Sequence, residues 1–234
     1  MLSMDIRPPS FALYRKQAVI FAQKILHQGS PGEYDEQALP AYSHRNRLMR
    51  WLFWQRLRRV VRYLERKAPA GARVLDFGCG VGMLLPLLAW RGFQVTGVDL
   101  DIRHTQSFLD AFHISDVTIL SASKLNELPS GQFDVITALD VLEHIPDLDE
   151  TILRLGNLLK PGGKLVVCGP TENAFYRLGR RLAGFSGAYH LRNIEDIRQA
   201  VHKHFTTVSL GTIYSWLPLF KLFEAARPAD LRSE

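Results

Sequence analysis

Cysteine is scarce in this chain: Cys79 and Cys168 are the only two among 234 residues. Two thiols cannot build a disulfide framework, and by themselves they cannot fill a zinc site. No stretch of about 18 uncharged apolar residues is present, which excludes an ordinary transmembrane helix. The N-terminus lacks a basic region leading into an apolar run and a small-residue cleavage site. No secretory signal is therefore expected, and a cytoplasmic location is the default. Internal repeats and low-complexity tracts are missing. The rest is ordinary: 47% apolar and 22% charged residues exclude a disordered chain or a collagen-like repeat. The length suits one domain, or one domain with a short appendage.

Acidic residues are missing from one place in particular. From Arg45 to Lys67 there are nine basic residues and a single acid, Glu65, a net +8 in a chain whose formal total is +6, so all the rest sums to −2. Such a cluster can attract nucleic acid, anionic lipid or an acidic substrate, or it can be the solvated face of a helix. At about 100° per residue, Phe53, Leu57, Val60, Val61 and Leu64 fall in one arc with Trp54 at its edge. Arg56, Arg59, Arg62 and Arg66 fall on the opposite side. Carrying the helix backwards places Leu48, Trp51 and Leu52 with the arginines. Either the helix breaks near Trp51–Phe53, or those residues contact something other than the core. Upstream, Phe11–Leu26 reads as a helix ended by Gln28-Gly29-Ser30-Pro31-Gly32. The expected organisation is an N-terminal helical extension, residues 1–68, ahead of a domain at 69–234 that ends in an apolar tail.

Strands and helices alternate after residue 72. Strands are expected at Arg73–Phe77, Gln94–Asp99, Val117–Ser121, Phe133–Leu139 and Lys164–Cys168, with a last one at Phe205–Tyr214. Helices are expected at Gly82–Arg91, Arg103–Phe112, Leu148–Leu159 and Asn193–His204. Alternation of this kind means βαβ units: a Rossmann-like, doubly wound α/β fold, its mostly parallel sheet covered by helices on both faces.

The first strand feeds a glycine-rich turn in Val74-Leu75-Asp76-Phe77-Gly78-Cys79-Gly80-Val81-Gly82. Glycines let the backbone approach a ligand closely and supply positive φ. The spacing is G-x-G-x-G, with Met83 where a dinucleotide fingerprint has its third glycine. Asp76, two residues before the first glycine, would repel a diphosphate but suits an ammonium group. Asp99 ends the second strand about 20 residues on, where an acid can accept hydrogen bonds from both hydroxyls of a ribose. An amino-acid ammonium together with a ribose describes S-adenosylmethionine (SAM).

Four blocks in order, VLDFGCGVG, VTGVDLD, FDVITALDVLEHI and LKPGGKLVV, resemble the class I SAM-dependent methyltransferases over about residues 72–212. The resemblance implies that Gly78, Gly80 and Gly82, with Phe77 in the same loop, line the methionine portion of SAM. Asp76 would lie near its amino group, Asp99 on the ribose and Leu100 beside the adenine. The family often has an acid after the third strand, near the adenine amino group. Here Ser121 and Ala122 stand there, so a serine substitutes or the contact is lost. Ala138, Leu139 and Asp140 end the fourth strand, where ligand-facing residues are expected. Cys79 is read as a packing residue.

Asp140-Val141-Leu142-Glu143-His144 resembles the acid-x-x-Glu-His block of the ubiquinone-pathway O-methyltransferases. Methyl transfer is an in-line displacement that needs alignment and removal of the acceptor's proton. His144 can be that base, with Asp140 and Glu143 orienting it. Two alternatives remain open: a divalent ion held by these three residues, and a bracing role for Glu143 and His144. His190, in the stretch after the fifth strand with Tyr176 and Tyr189, is a second candidate base; packing is the alternative for all three. His44-Arg45-Asn46-Arg47-Leu48-Met49-Arg50 is similar to a His-x-x-Asn-Pro-Leu-Arg block of the same family, which implies that Arg50 or Arg47 pairs with the cofactor carboxylate. Here the proline is absent and the spacing differs by one.

The apolar segment from Tyr214 to Ala226 is too short to span a bilayer, and no further edge strand is apparent in it. Trp216, Phe220 and Phe223 can cover the substrate cleft, or join Trp51, Trp54 and the arginines in peripheral membrane contact; intramolecular packing is the plain alternative. The expected function is SAM-dependent methylation of an oxygen on a small, hydrophobic or lipid-like molecule. RNA or protein methylation by way of the basic helix, and a nonenzymatic SAM-binding module, are the alternatives. Nucleic acid is disfavoured because no RNA-binding appendage is recognisable.

Overall fold

Strand β1 (Arg73–Phe77) lies inside the sheet, and its last four residues are buried, as a strand covered on both faces requires. The structure, a computed structural model, describes residues 8–30, 34, 39–171, 173, 192–214 and 218–227. Around β1 are β2 (Gln94–Asp99), β3 (Val117–Ser121), β4 (Phe133–Leu139), β5 (Leu159–Pro170), β6 (Thr206–Thr212) and β7 (Phe220–Ala226). They form one seven-stranded sheet in the order β3-β2-β1-β4-β5-β7-β6. The strands β1 to β5 pair in parallel, and β7 runs antiparallel between β5 and β6. Strand order reverses between β1 and β4, and in open α/β sheets the crevice at such a switch point binds ligands.

The expected α/β doubly wound fold is the one observed, and β2, β3 and β4 begin and end where the sequence places them. The differences are local. Helix α4 is only Leu85–Ala89, because Gly82 adopts φ +97° and the chain needs three more residues to enter the helix. Helix α5 covers Thr105–Ala111 and α6 covers Leu148–Leu158. Helix α7 (Ile194–His202) starts at Asn193, whose Oδ1 accepts from the amides of Glu195 and Asp196 at 2.8 and 3.2 Å.

The tail is the main correction. Residues expected to cover the cleft or meet a membrane form strand β7 instead. Phe220 and Phe223 are each 2% exposed, and Phe223 packs in the core with Val167, Leu165 and Ile197. The sequence hides this strand because Lys221 and Glu224, three residues apart, fall on opposite faces and break the period-2 alternation. Trp216 lies outside the described residues.

Two compact units, Met1–Trp54 and Gln55–Glu234, divide inside helix α3 (Arg47–Lys67). In the first unit, α1 (Phe11–Gln28) is capped by Ser10, whose side chain accepts from Leu13 N, and buries Tyr14, Ala18, Ala22 and Ile25 along one face. A short α2 (Leu39–Ser43) follows. Trp54 gathers Phe11, Tyr14 and Tyr42 edge to face and donates its indole N–H to the Tyr42 carbonyl at 3.0 Å. Helix α3 does not break at Trp51–Phe53. Leu52 is buried, whereas Leu48 and Trp51 are exposed. No helix among the described residues is long and apolar enough to cross a membrane.

Replacing a fully buried Phe leaves a cavity and costs about 3–5 kcal/mol. Phe223→Ala is expected to lower the stability of the protein by that amount in denaturant unfolding. Val208→Ala on β6, where half of the side chain is exposed, should change it by less than about 0.5 kcal/mol.

Candidate active site

The glycine loop closes back onto β2. The amides of Gly78 and Cys79 both donate to the Val98 carbonyl, at 2.8 and 3.1 Å, and the amide of Gly82 donates to Cys79 at 2.9 Å. Gly78 adopts φ +79°, and a Cβ there would lie 2.5 Å from Val141 Cγ2. The loop therefore passes under the turn after β4 at a distance that only glycine permits. The carboxylate of Asp99 holds the loop from the side: Oδ2 accepts from Gly80 N at 2.7 Å, and Oδ1 from Asp101 N at 3.1 Å. Each oxygen retains a second lone pair for a ligand hydroxyl. Thr105, fully buried at the start of α5, donates to the Gly80 carbonyl at 2.9 Å.

Parallel register brings the predicted cofactor residues to one edge. Asp76 is level with Thr137, Phe77 with Val98 and Ala138, and Asp99 with Ser121. The side chains of Phe77 and Ala138 belong to the core, which leaves their backbone for a ligand. Leu100, next to Asp99, is 86% exposed, an open apolar surface beside the glycine loop. Ser123 Oγ donates to Ser121 Oγ at 3.1 Å, and Ala122 packs partly against the core.

Asp76 is buried and accepts from Thr137 Oγ1 at 2.7 Å. Burial raises its pKa to about 7; the Thr137 hydrogen bond opposes the shift and the neighbouring Asp99 charge adds to it. Burial also pushes the Cys79 thiol up, and the Cys168 thiol to about 12, so both are packing groups rather than nucleophiles.

Beyond β4 the chain takes a left-handed step at Asp140, φ +51°. The amide of Asp140 donates to the Cys168 carbonyl at 2.9 Å, and its carboxylate forms an ion pair with Arg56 of α3. Arg56 is 2% exposed, and its guanidinium lies 4.5 Å from the centre of the Phe220 ring. This corrects the helical-wheel reading, which put Arg56 on the solvated face with Arg59, Arg62 and Arg66. Those three are exposed; Arg56 is withdrawn because β7 and the β4 turn cover that side of the helix. The Asp140 carboxylate is engaged by a cation, and among the described residues no cluster of three His, Cys, Asp or Glu side chains is placed to hold a metal ion.

Glu143 is buried and His144 half-buried in a single 3₁₀ turn, Leu142–His144. Arg192 holds the chain that follows, donating to the carbonyls of Ile145 and Pro146 at 2.6 and 2.9 Å. His190, Tyr176 and Tyr189 lie outside the described residues. In the first unit, Asn46 Oδ1 accepts from the amides of Leu48 and Met49, capping α3, and Arg50 donates to the His44 carbonyl at 3.0 Å. Sequence reasoning missed Arg56, Thr105, Thr137 and Arg192. Nothing in the local pattern separates Arg56 from Arg59, and nothing marks Arg192, whose partner carbonyls lie 46 and 47 positions away in the chain.

A mostly parallel sheet with an acid-flanked glycine loop at its switch point defines a nucleotide-binding type of α/β domain. Residues 43–220 match a family model described as a methyltransferase domain, and the chain belongs to that family. Over 105 residues it is 41% identical to a ubiquinone biosynthesis O-methyltransferase of Xanthomonas axonopodis pv. citri (strain 306), covering 43% of this chain and 44% of that protein. Over 114 residues it is 40% identical to a ubiquinone biosynthesis O-methyltransferase of Pseudomonas aeruginosa (strain LESB58), covering 47% and 49%. The chain thus spans less than half the length of these curated relatives. In fold it is similar to the magnesium protoporphyrin IX methyltransferase of Synechocystis PCC 6803, solved with bound SAH. The TM-score is 0.62 at 23% identity, over 88% of this chain and 99% of that one.

Removing one partner of a buried ion pair typically costs about 3–5 kcal/mol because the other charge is left uncompensated. Arg56→Met is expected to destabilise the protein by that order in denaturant unfolding. Combining it with Asp140→Asn should recover at least half of the loss, which a double-mutant cycle measures.

Proposed function

We propose that the protein is a SAM-dependent methyltransferase acting on an oxygen of a small, hydrophobic molecule in the cytoplasm. The observation that carries this reading is the glycine loop tied to Asp99 beside the exposed Leu100, in a chain that belongs to the methyltransferase family. When bound, SAM supplies an electrophilic methyl on sulfur. The residues supply the rest. Gly78, Gly80 and Gly82 leave room for the methionine portion. Asp76 pairs with the ammonium group, Asp99 accepts from the ribose hydroxyls and Leu100 covers one face of the adenine, with Ser121 and Ala122 at its edge. Leu139 and Ala138 present backbone to the sulfonium side.

His144 takes the proton from the acceptor hydroxyl as the oxygen–methyl bond forms and the sulfur–methyl bond breaks, with the sulfur leaving as a neutral thioether. Glu143 and Asp140 position that base, and Arg56 keeps Asp140 in its left-handed turn. His190 is the other candidate base. Because Arg56 already engages Asp140, the reading without a divalent ion is preferred; turnover should be unchanged after chelation, measured with radiolabelled SAM.

Calorimetric titration with SAM tests the core of the proposal: absence of binding overturns it. Below the raised pKa of Asp76, about 7, the carboxylate is protonated and cannot neutralise an ammonium. SAM affinity should therefore fall as pH drops below about 7, approaching tenfold per pH unit.

Stability should move the other way. The folded state holds the Asp76 proton up to about 7, whereas an unfolded Asp releases it near 4, so stability falls as pH rises between those values. The loss is on the order of 4 kcal/mol by pH 8. Asp76→Asn should raise the melting temperature of the free protein at pH 8 while weakening SAM binding.

A further inference from the structure

The first compact unit carries apolar and cationic side chains at its surface that the proposed reaction does not use. Seven large hydrophobic residues are exposed among the described residues, and four of them, Leu13, Ile20, Leu48 and Trp51, belong to this smaller unit. Of the other three, Leu100 is accounted for by the cofactor site. Scattered exposed hydrophobics need no explanation, but these are ordered. On α1, Leu13, Lys16, Ile20, Lys24 and His27 succeed one another at three- and four-residue spacing. They lie along the face opposite the buried Tyr14, Ala18, Ala22 and Ile25. On α3, Leu48 and Trp51 lie one turn apart beside the exposed Arg45 and Arg47.

Among the described residues, the charge beside these side chains is of one sign. The described residues of the unit contain six Lys and Arg side chains and no acid. The unit's acids, Asp5, Glu33, Asp35 and Glu36, lie outside the described residues. Nucleic-acid phosphates would reward the cations but gain nothing from Leu13 and Ile20. A membrane interface rewards both, because apolar side chains enter the acyl boundary while flanking lysines keep their ammonium groups among anionic headgroups.

We propose that the N-terminal unit docks on an anionic lipid surface through the Leu13–Lys16–Ile20–Lys24 stripe of α1 and the Leu48–Trp51 pair of α3. The surface differs from the one expected from sequence, since Trp54, Phe220 and Phe223 are buried. A hydrophobic acceptor would be met where it is dissolved, but the docking stands independently of the reaction.

The test is sedimentation of the full chain with phosphatidylcholine vesicles, with and without about 30% phosphatidylglycerol, at low salt and at about 0.5 M NaCl. The expected result is co-sedimentation with the anionic vesicles alone, weakened at high salt. Lys16→Glu with Lys24→Glu should reduce the apparent affinity at least tenfold, and so should Leu13→Gln with Ile20→Gln, which leaves the charge unchanged. Leu48→Gln probes α3 separately, and circular dichroism reports whether each variant folds. The proposal is overturned if the full chain does not sediment with anionic vesicles at low salt. It is equally overturned if the apolar variants bind as the parent does, or if an RNA oligonucleotide at equal phosphate concentration displaces the vesicles completely. Neither SAM nor an acceptor enters the assay, so its failure is distinct from failure of the methyltransferase reading.

Discussion

The glycine loop can close only because residue 78 has no Cβ. At that point the loop after β1 passes beneath Val141 of the turn after β4, and a methyl group would collide with the valine. The same approach lets the amides of Gly78 and Cys79 reach the Val98 carbonyl and the amide of Gly80 reach Asp99. Three strand ends, β1, β2 and β4, are thereby held at one edge. The candidate chemistry inherits its geometry from this contact: Asp76 below, Asp99 and Leu100 to one side, and the Asp140–His144 turn above.

Two carboxylates at this edge, the buried Asp76 and the half-buried Asp140, are handled differently. Asp76 has a hydroxyl, Thr137, and a like charge nearby, so burial and repulsion shift it toward the neutral form. Asp140 has a guanidinium, Arg56, whose own burial is compensated by the ion pair and the Phe220 ring. One acid is thus shifted toward its neutral form, and the other is held in an ion pair. The distinction arises from the neighbours, since both residues are aspartates at the ends of adjacent strands.

Much of the fold was legible from local signals. Short apolar runs bounded by glycine, proline and aspartate located β2, β3 and β4 to the residue, because those turn residues interrupt a strand wherever they occur. The glycine loop and the place of Asp99 beside it were legible for the same reason: glycine spacing is a property of the backbone. Strand β7 was not, since Lys221 and Glu224 fall on opposite faces of Phe220–Ala226, so no apolar–polar alternation marks it.

The sequence by itself determined the class of fold, the glycine loop, the acid at the end of β2 and the helical part of α3 from Phe53 onward, all of which depend on residues near one another in the chain. Tertiary structure decided which arginine of α3 is buried, that the tail lies between β5 and β6, and that Thr105, Thr137 and Arg192 support the site. A solvated and a buried arginine have the same local pattern. What separates Arg56 from Arg59 is a carboxylate 84 positions away in the chain that only folding brings within reach.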